Sequence, residues 1–362
     1  MSSGARLSVD VIINNHNYGR FLPDAIDSAI AQTHDGVRVT VVDDGSTDQS
    51  REVIAGYGAR ITSVLKRNGG QASALNAGYA RSEAELVIFL DADDVLVPDV
   101  AARVAGAFAA HPGAAKAQYR MAVIDEHGRR TGEIKPPERY RLPEGDLSRE
   151  ELTFPFDLPS MATSGNAFPR RVLERLLPMP EAEYRLLADW YLVHMAPLFG
   201  PVVTLDAIGA CYRVHGANRY EQSRPELDLD HVRSSVGAGA ATRAQLERTA
   251  DALGLPRPAG PIRSVADLGN RLISLRLDPE AHPLPDERAP ALVVSALRAA
   301  GRRFDVRWPT KLLFVGWFIA MAAAPRPLAR GLAELFLFPE RRPGWSGAGS
   351  RRLQLRLLGP RA

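Results

Sequence analysis

Residues 86–94 read Leu-Val-Ile-Phe-Leu-Asp-Ala-Asp-Asp. Five uninterrupted apolar residues are what a strand covered on both faces requires, and such strands belong to parallel sheets with helices on either side. The same apolar-then-polar switch occurs twice upstream, at 41–48 (VVDDGSTD) and at 11–17 (VIINNHN). Helical spacing separates these stretches, as in Leu22, Ile26, Ala29 and Ile30. The alternation predicts strands at 7–13, 37–42, 61–65 and 86–90, and helices at 21–32, 71–80 and 98–110. Ser46 or Thr47 is the expected cap of the helix after the second strand. Strand–helix repeats of this rhythm make a mostly parallel sheet with right-handed crossovers, which binds ligands at the carboxyl ends of its strands. The polar clusters NNHN, DDGSTD and DADD would therefore meet in one crevice.

Downstream, a strand is expected at 116–124, a turn at 126–128, an irregular Pro-rich stretch at 136–159, a helix at 189–199 and a strand at 207–214. Residues 235–300 carry Ala- and Leu-rich helical patterns. The expected organisation is a catalytic domain over 1–230, a helical extension over 231–300 and a basic, apolar tail over 301–362.

Composition narrows the class. The chain has 362 residues, 45% hydrophobic and 24% charged, which excludes a disordered, collagen-like or coiled-coil protein. Cys211 is the single cysteine, so no internal disulfide and no cysteine-rich metal site is possible. No apolar run reaches the roughly 18 to 20 residues of a spanning helix; the longest, 312–324, is too short. The first 17 residues lack the apolar run of a signal peptide, so a cytoplasmic position is expected. Residues 301–362 hold 12 Lys and Arg against three acids, while the whole chain is only +3. That asymmetry points to an anionic partner for the tail. Apolar and aromatic residues between basic clusters, including 341–345 and 351–358, suggest peripheral contact with the inner face of a membrane. No nucleic-acid-binding motif accompanies the charge.

Asp91 and Asp93 stand two apart at a strand end, and in extended chain such residues point the same way. Like charges that close are costly without a cation between them, and an oxygen-rich pair suits Mg²⁺ or Mn²⁺. The plain alternative is a solvated loop of helix-capping acids, with Asp94 and Asp99 flanking Pro98. Asp43-Asp44-Gly45 is equally turn chemistry, although a turn does not call for two successive carboxylates. No Gly-rich phosphate loop follows the first strand, which argues against a dinucleotide cofactor.

The stretches VIINNHNYGRFLPDAIDSAIAQT (11–33), VVDDGSTD, NGGQASALNAG (68–78), FLDADD, SGNAF (164–168), ADW (188–190) and YRVHGAN (212–218) appear in an order that resembles family-2 glycosyltransferases. The resemblance covers roughly residues 7–218. It implies the α/β GT-A fold and inverting sugar transfer from a nucleotide-sugar donor, UDP-sugars being common, to a saccharide or lipid-linked acceptor. It further implies that Asp93 binds a divalent metal (Mn²⁺ or Mg²⁺), with Asp91 beside the metal or the ribose and His215 completing the shell. Asn14, His16 and Asp44 would line the nucleotide pocket, and Arg213 would face the diphosphate, with an ordinary salt bridge as its alternative. Asp189 would be the general base that deprotonates the acceptor, or an N-cap of its helix. Trp190 is a candidate sugar-stacking residue or a core one. A nucleotidyltransferase and a non-catalytic sugar-nucleotide-binding module are the rival readings.

Overall fold

The apolar runs of the first half form strands, and the spaced segments form helices. In order these are β1 (Val9–Asn15), α1 (Leu22–Ile30), β2 (Val37–Asp44), α2 (Ser50–Tyr57), β3 (Thr62–Lys66), α3 (Gln71–Tyr79), β4 (Leu86–Asp91), β5 (Val95–Leu96), α4 (Val100–Ala110), β6 (Lys116–Ile124), β7 (Arg130–Lys135), α5 (Ser148–Glu151), β8 (Asn166–Pro169), α6 (Arg170–Leu176), α7 (Ala188–Met195) and β9 (Val202–Arg213). The structure is a computed structural model that describes residues 7–216, 218, 227–258 and 260–338. The chain divides into two compact units, Met1–Ser148 with Pro159–Gly216, and Arg149–Leu158 with Ala217–Ala362.

The first unit is built on one sheet of order β3-β2-β1-β4-β8-β6-β9-β5, with β7 added along β6. Strands β1 to β4 are mutually parallel, whereas β8 runs antiparallel between β4 and β6. Register places the polar ends side by side: Asn14 pairs with Asp91, Asn15 with Asp43, and Asp44 with Lys66. The strand ends that the sequence assigned to one crevice are thus neighbours in the sheet. Val9, Val11, Ile13, Val39, Val41, Ile88 and Leu90 form the core with Leu22, Ile26 and Val104 from the helices.

Helix α3 is rich in small residues because it lies close on the sheet. A Cβ on Gly78 would stand 2.3 Å from Ile12 Cγ2 and 3.0 Å from Val42 Cγ2, so only glycine permits that approach.

Capping differs from the sequence reading in three places. Helix α2 begins at Ser50, later than Ser46 or Thr47 would start it, and Asp48 instead accepts hydrogen bonds from the Ser50 and Gly19 N–H groups (3.0 and 2.9 Å). Asp99 is the N-cap position of α4, but its side chain makes no cap bond. Leu187 is the N-cap position of α7 and Asp189 lies inside the first turn. Asp189 therefore is not that helix's N-cap.

The second unit contains α8 (Leu229–Leu253), α9 (Val265–Leu277), α10 (Ala289–Arg302), α11 (Trp308–Ala323) and α12 (Arg326–Leu337). Its core joins Leu268, Leu272, Ile273, Leu292, Ala296, Phe318, Met321 and Ala333. Segment 149–158 belongs to it: Phe154 meets the Phe304 ring edge-on at 5.1 Å. The buried Asp157 carboxylate accepts from the Val265 and Ala266 N–H groups (2.8 and 2.7 Å) and pairs with Arg303 (3.0 Å). It serves the N-terminus of α9 from a distant part of the chain. The basic clusters at 341–345 and 351–358 lie outside the described residues.

Candidate functional site

The site is assembled from strand ends and the loops that follow them. Asn14, at the end of β1, donates from Nδ2 to Asp91 Oδ1 at the end of β4 (2.9 Å). Gln71, the first residue of α3, donates from Nε2 to the same oxygen (3.2 Å) and to Thr163 Oγ1 (3.3 Å), and its Oε1 accepts from Ala188 N–H (3.2 Å). One side chain therefore ties β4, the 163–165 turn and the start of α7 together. Ser164 Oγ accepts the Asp91 N–H (3.0 Å).

Asp93 lies in the turn after β4. Its Oδ2 is 3.1 Å from His215 Nε2. The His215 ring leans on Phe21 (4.6 Å between centroids) and meets Tyr18 near-perpendicularly (5.6 Å). Arg213 has one of the largest fully buried side chains among the described residues. Its Nε donates to the Asp93 carbonyl (2.8 Å), its guanidinium pairs with Asp24 (2.7 Å), and its own N–H reaches Asp94 Oδ1 (3.0 Å). Arg213 thus forms an ordinary salt bridge, with Asp24, and braces the acidic turn.

Charge crowds this turn. Burial pushes the Asp91 carboxyl up to about 7, with the charge of Asp93 and then that of Asp189 adding to the effect against the hydrogen bond from Asn14. Burial, then Asp93 and Asp91, pushes Asp94 well above the carboxylate range. Asp189 is also raised, by burial, against hydrogen bonding from the Trp190 and Thr163 N–H groups. Asp91, Asp93, Asp94 and Asp189 all raise the Tyr212 phenol after burial has done so. The four carboxylates, collected from two regions of the sequence, thus act on one another.

Asp44 and His16 occupy the neighbouring loop. Asp44 is buried, and its oxygens accept from Lys66 Nζ (2.7 Å), Gly69 N–H (2.9 Å) and Gly70 N–H (2.7 Å). His16 is exposed, and its Nδ1 donates to the Asp44 carbonyl (3.0 Å). Gly70 has φ +90°, and a Cβ there would stand 2.4 Å from Arg185 Cγ. Trp190 is half-buried, 6.0 Å from the His194 ring. A cavity of about 360 Å³ is lined by Arg20, Phe21, Asp24, Glu126, His127 and Arg213, and its lining does not include Asp91 or Asp189.

Comparison with known proteins gives the family. The family model "Glycosyl transferase family 2" matches residues 10–177. An uncharacterized glycosyltransferase of Nostoc sp. is 34% identical over 235 residues, covering 64% of this chain and 72% of that protein. The chain belongs to glycosyltransferase family 2.

Another similar protein, an uncharacterized glycosyltransferase of Rickettsia prowazekii, is 38% identical over 91 residues, 25% of this chain and 29% of that one. Among solved structures, S. aureus TarS 1–349 in complex with UDP-GlcNAc superposes with a TM-score of 0.55 at 15% identity, covering 91% of each chain. That likeness concerns the fold, and the GT-A architecture expected from the motifs is the one observed.

Whether the glycosyltransferase's residues suit a divalent cation can be read from the donors. Among the described residues no three His, Cys, Asp or Glu side chains are grouped to hold an ion. Asp93 is grouped with His215, and Asp91 with Asn14 and Gln71. The chemistry nevertheless fits. Carboxylate and imidazole donors suit Mn²⁺, and the charge of Asp93, which adds to the effect of burial in raising Asp91, is what a cation offsets. Asn14 Oδ1 is buried without a hydrogen-bond partner beside them, a further hard oxygen donor.

Sequence reasoning passed over Gln71, Thr163, Ser164 and Lys66. Gln71 and Lys66 lie in or beside NGGQASALNAG, but hydrogen bonds across 117 residues, such as Gln71 to Ala188, leave no local spacing signal.

Proposed function

We propose that this glycosyltransferase moves a sugar from a nucleoside-diphosphate donor to a hydroxyl of a saccharide or lipid-linked acceptor in a single displacement with inversion. The observation that supports the reading is a group of acids beside the carboxyl end of a parallel strand, where this sheet type binds ligands: Asp91 ends β4, Asp93 follows in the turn, and the charge of Asp189, in the first turn of α7, acts on Asp91. Asp189 receives the acceptor proton. Burial raises its affinity for a proton above that of an ordinary carboxylate, which makes it a stronger base. Gln71 holds Asp91 and the start of α7 at a fixed separation, so that acceptor and donor meet in line and the entropic part of the barrier falls. Asn14, His16, Asp44 and Asp91 line the nucleotide side. Asp44 does so through the loop 66–70, which its carboxylate pins.

Asp93, Asp91 and His215 would hold Mn²⁺ or Mg²⁺, which when bound neutralises charge on the diphosphate leaving group. UDP is the preferred nucleotide of this reading, in line with the UDP-GlcNAc bound to TarS. The catalytic part ends near residue 216, and the enzyme works at the cytoplasmic side of a membrane.

A panel of UDP-, GDP- and dTDP-sugars, assayed for hydrolysis and transfer with Mn²⁺, Mg²⁺ or chelator, tests this. Turnover of one nucleotide class that chelation abolishes is expected. Activity that chelation leaves unchanged removes the metal from the proposal, and no turnover of any donor removes the transfer reaction.

A further inference from the structure

Helix α11 is apolar on nearly every side. A helix of that kind is ordinarily enclosed by its own protein or by lipid. Here one side is enclosed, with Thr310, Phe318 and Met321 buried. The other side carries Trp308 (70% exposed), Leu312 (59%), Leu313 (52%) and Ile319 (53%), with the small, exposed Gly316 and Ala320 between them. At 3.6 residues per turn these six fall within about 140° of the helix circumference. Leu328, in the first turn of α12, is a fifth large apolar side chain left in water, at 58%. Single exposed leucines are ordinary, but a continuous face of them marks a binding surface.

The charge around this face identifies what covers it. From Val306 to Ala333 the sequence carries Arg307, Lys311, Arg326 and Arg330 and not one Asp or Glu, with Asp305 and Glu334 at its two edges, where Glu334 pairs with Arg330 (3.8 Å). A second copy seated on the face would set positive charge against positive charge. An anionic bilayer offers the complementary arrangement, an apolar layer for Trp and Leu beneath a plane of phosphates for Lys and Arg. Helix α11 has 16 residues, a length of about 24 Å against the ~30 Å hydrocarbon core. No helix among the described residues is long and apolar enough to cross a membrane.

We propose that the outward face of α11 is a docking surface for an anionic bilayer. The helix lies in the headgroup plane, Trp308, Leu312, Leu313 and Ile319 enter the acyl boundary, and Arg307, Lys311 and Arg326 meet lipid phosphates. This goes beyond the transfer reaction and holds whichever donor the site takes.

The test is co-sedimentation of the full chain with vesicles of phosphatidylcholine alone or with about 30% phosphatidylglycerol. Binding to the anionic vesicles at least about tenfold above the neutral ones is expected, weakening as added salt screens the charges. Leu312→Glu combined with Ile319→Glu should lower that binding by at least about tenfold, because two apolar side chains no longer leave water. The melting temperature should stay unchanged, since both positions are exposed. Equal binding by wild type and the double variant would overturn the proposal; so would a vesicle-free dimer that the double variant turns into a monomer, which would give the face to a second copy.

Discussion

Asp189 is one carboxyl group on which two measurable properties depend in opposite ways. Burial raises its pKa above the ordinary carboxylate range, so the folded chain keeps that proton to higher pH than the unfolded chain does. Its ionised form therefore costs stability, and the protein loses that contribution as pH rises from the ordinary carboxylate range through the raised value. Catalysis by the proposed base needs the ionised form, so kcat/KM should fall on the acid side at a pH above that of an ordinary carboxylate. Asp189→Asn should lower turnover on the order of a hundredfold or more, leave donor affinity in place, and leave thermal stability at neutral pH equal or higher. A pH–rate profile and a thermal melt on the same preparation check both signs. Retained turnover would take the base role away from Asp189. Gln71 is the complementary case, a residue proposed to position others. Gln71→Leu should reduce kcat roughly tenfold or more while the acid limb of the pH profile stays where it is, because orientation and not proton affinity is lost. Asp91, Asp93 and Asp189 stood out in the sequence through the order of motifs that resembles the family, since an isolated pair of acids at a strand end or one acid at a helix start is as often turn or capping chemistry. Gln71 did not, since its partners lie at positions 91, 163 and 188 and no periodicity links them.

At the scale of elements, the parallel half of the sheet was legible because each strand is an apolar run bounded by polar turns. The predicted 116–124 strand matches β6. Three strands gave no such signal. β5 has two residues, β8 four, and β7 reads Arg-Thr-Gly-Glu-Ile-Lys with most of its side chains exposed. Such segments are held by their neighbours' unpaired backbone groups, so their own sequences need little strand character. Strand β9 starts at Val202, five residues before the predicted 207, because its pairing with β6 continues through two register shifts near Tyr119 and Arg120. Helix α3 shows how packing at this scale reaches the site. Its N-terminus supplies Gly70 and Gln71, and its closeness to the sheet depends on Gly78. Gly78→Ala would press a methyl group into Ile12 and Val42. The expected cost is about 1–3 kcal/mol of stability, read by chemical denaturation. Because the helix must move outward to relieve the clash, the loop pinned by Asp44 should shift with it and donor affinity should fall as well. A variant that loses neither would show that α3 can move without disturbing either end.

The whole molecule is divided differently from what the sequence suggested. The sequence places boundaries near residues 230 and 300, where the helical patterns begin and where the basic, apolar tail begins. The structure instead gives the second compact unit a segment from the middle of the first, Arg149–Leu158. The Pro-rich stretch that holds it, 136–159, showed no periodicity, so nothing local revealed that Leu152 and Phe154 are core residues, 3% and 1% exposed. Arg303 stacks over Phe154 at 5.0 Å and pairs with Asp157. A chain cut after residue 216 would keep this segment while losing its partners. It would expose Leu152 and Phe154 to water and strand the Asp157 carboxylate without Arg303 and without the Val265 and Ala266 N–H groups. Truncating one partner of a buried pair costs about 3–5 kcal/mol, and exposed aromatic residues promote association. The 1–216 chain should therefore be poorly soluble and melt well below the full chain. The same truncation with Leu152→Ser, Phe154→Ser and Asp157→Ser should recover solubility, because the sheet core of Val11, Ile13, Val41 and Ile88 does not draw on the segment. Solubility and melting temperature of the three chains, measured side by side, decide the matter. If the unmodified 1–216 chain is as soluble and as stable as the full protein, residues 149–158 do not need the helical unit to cover them.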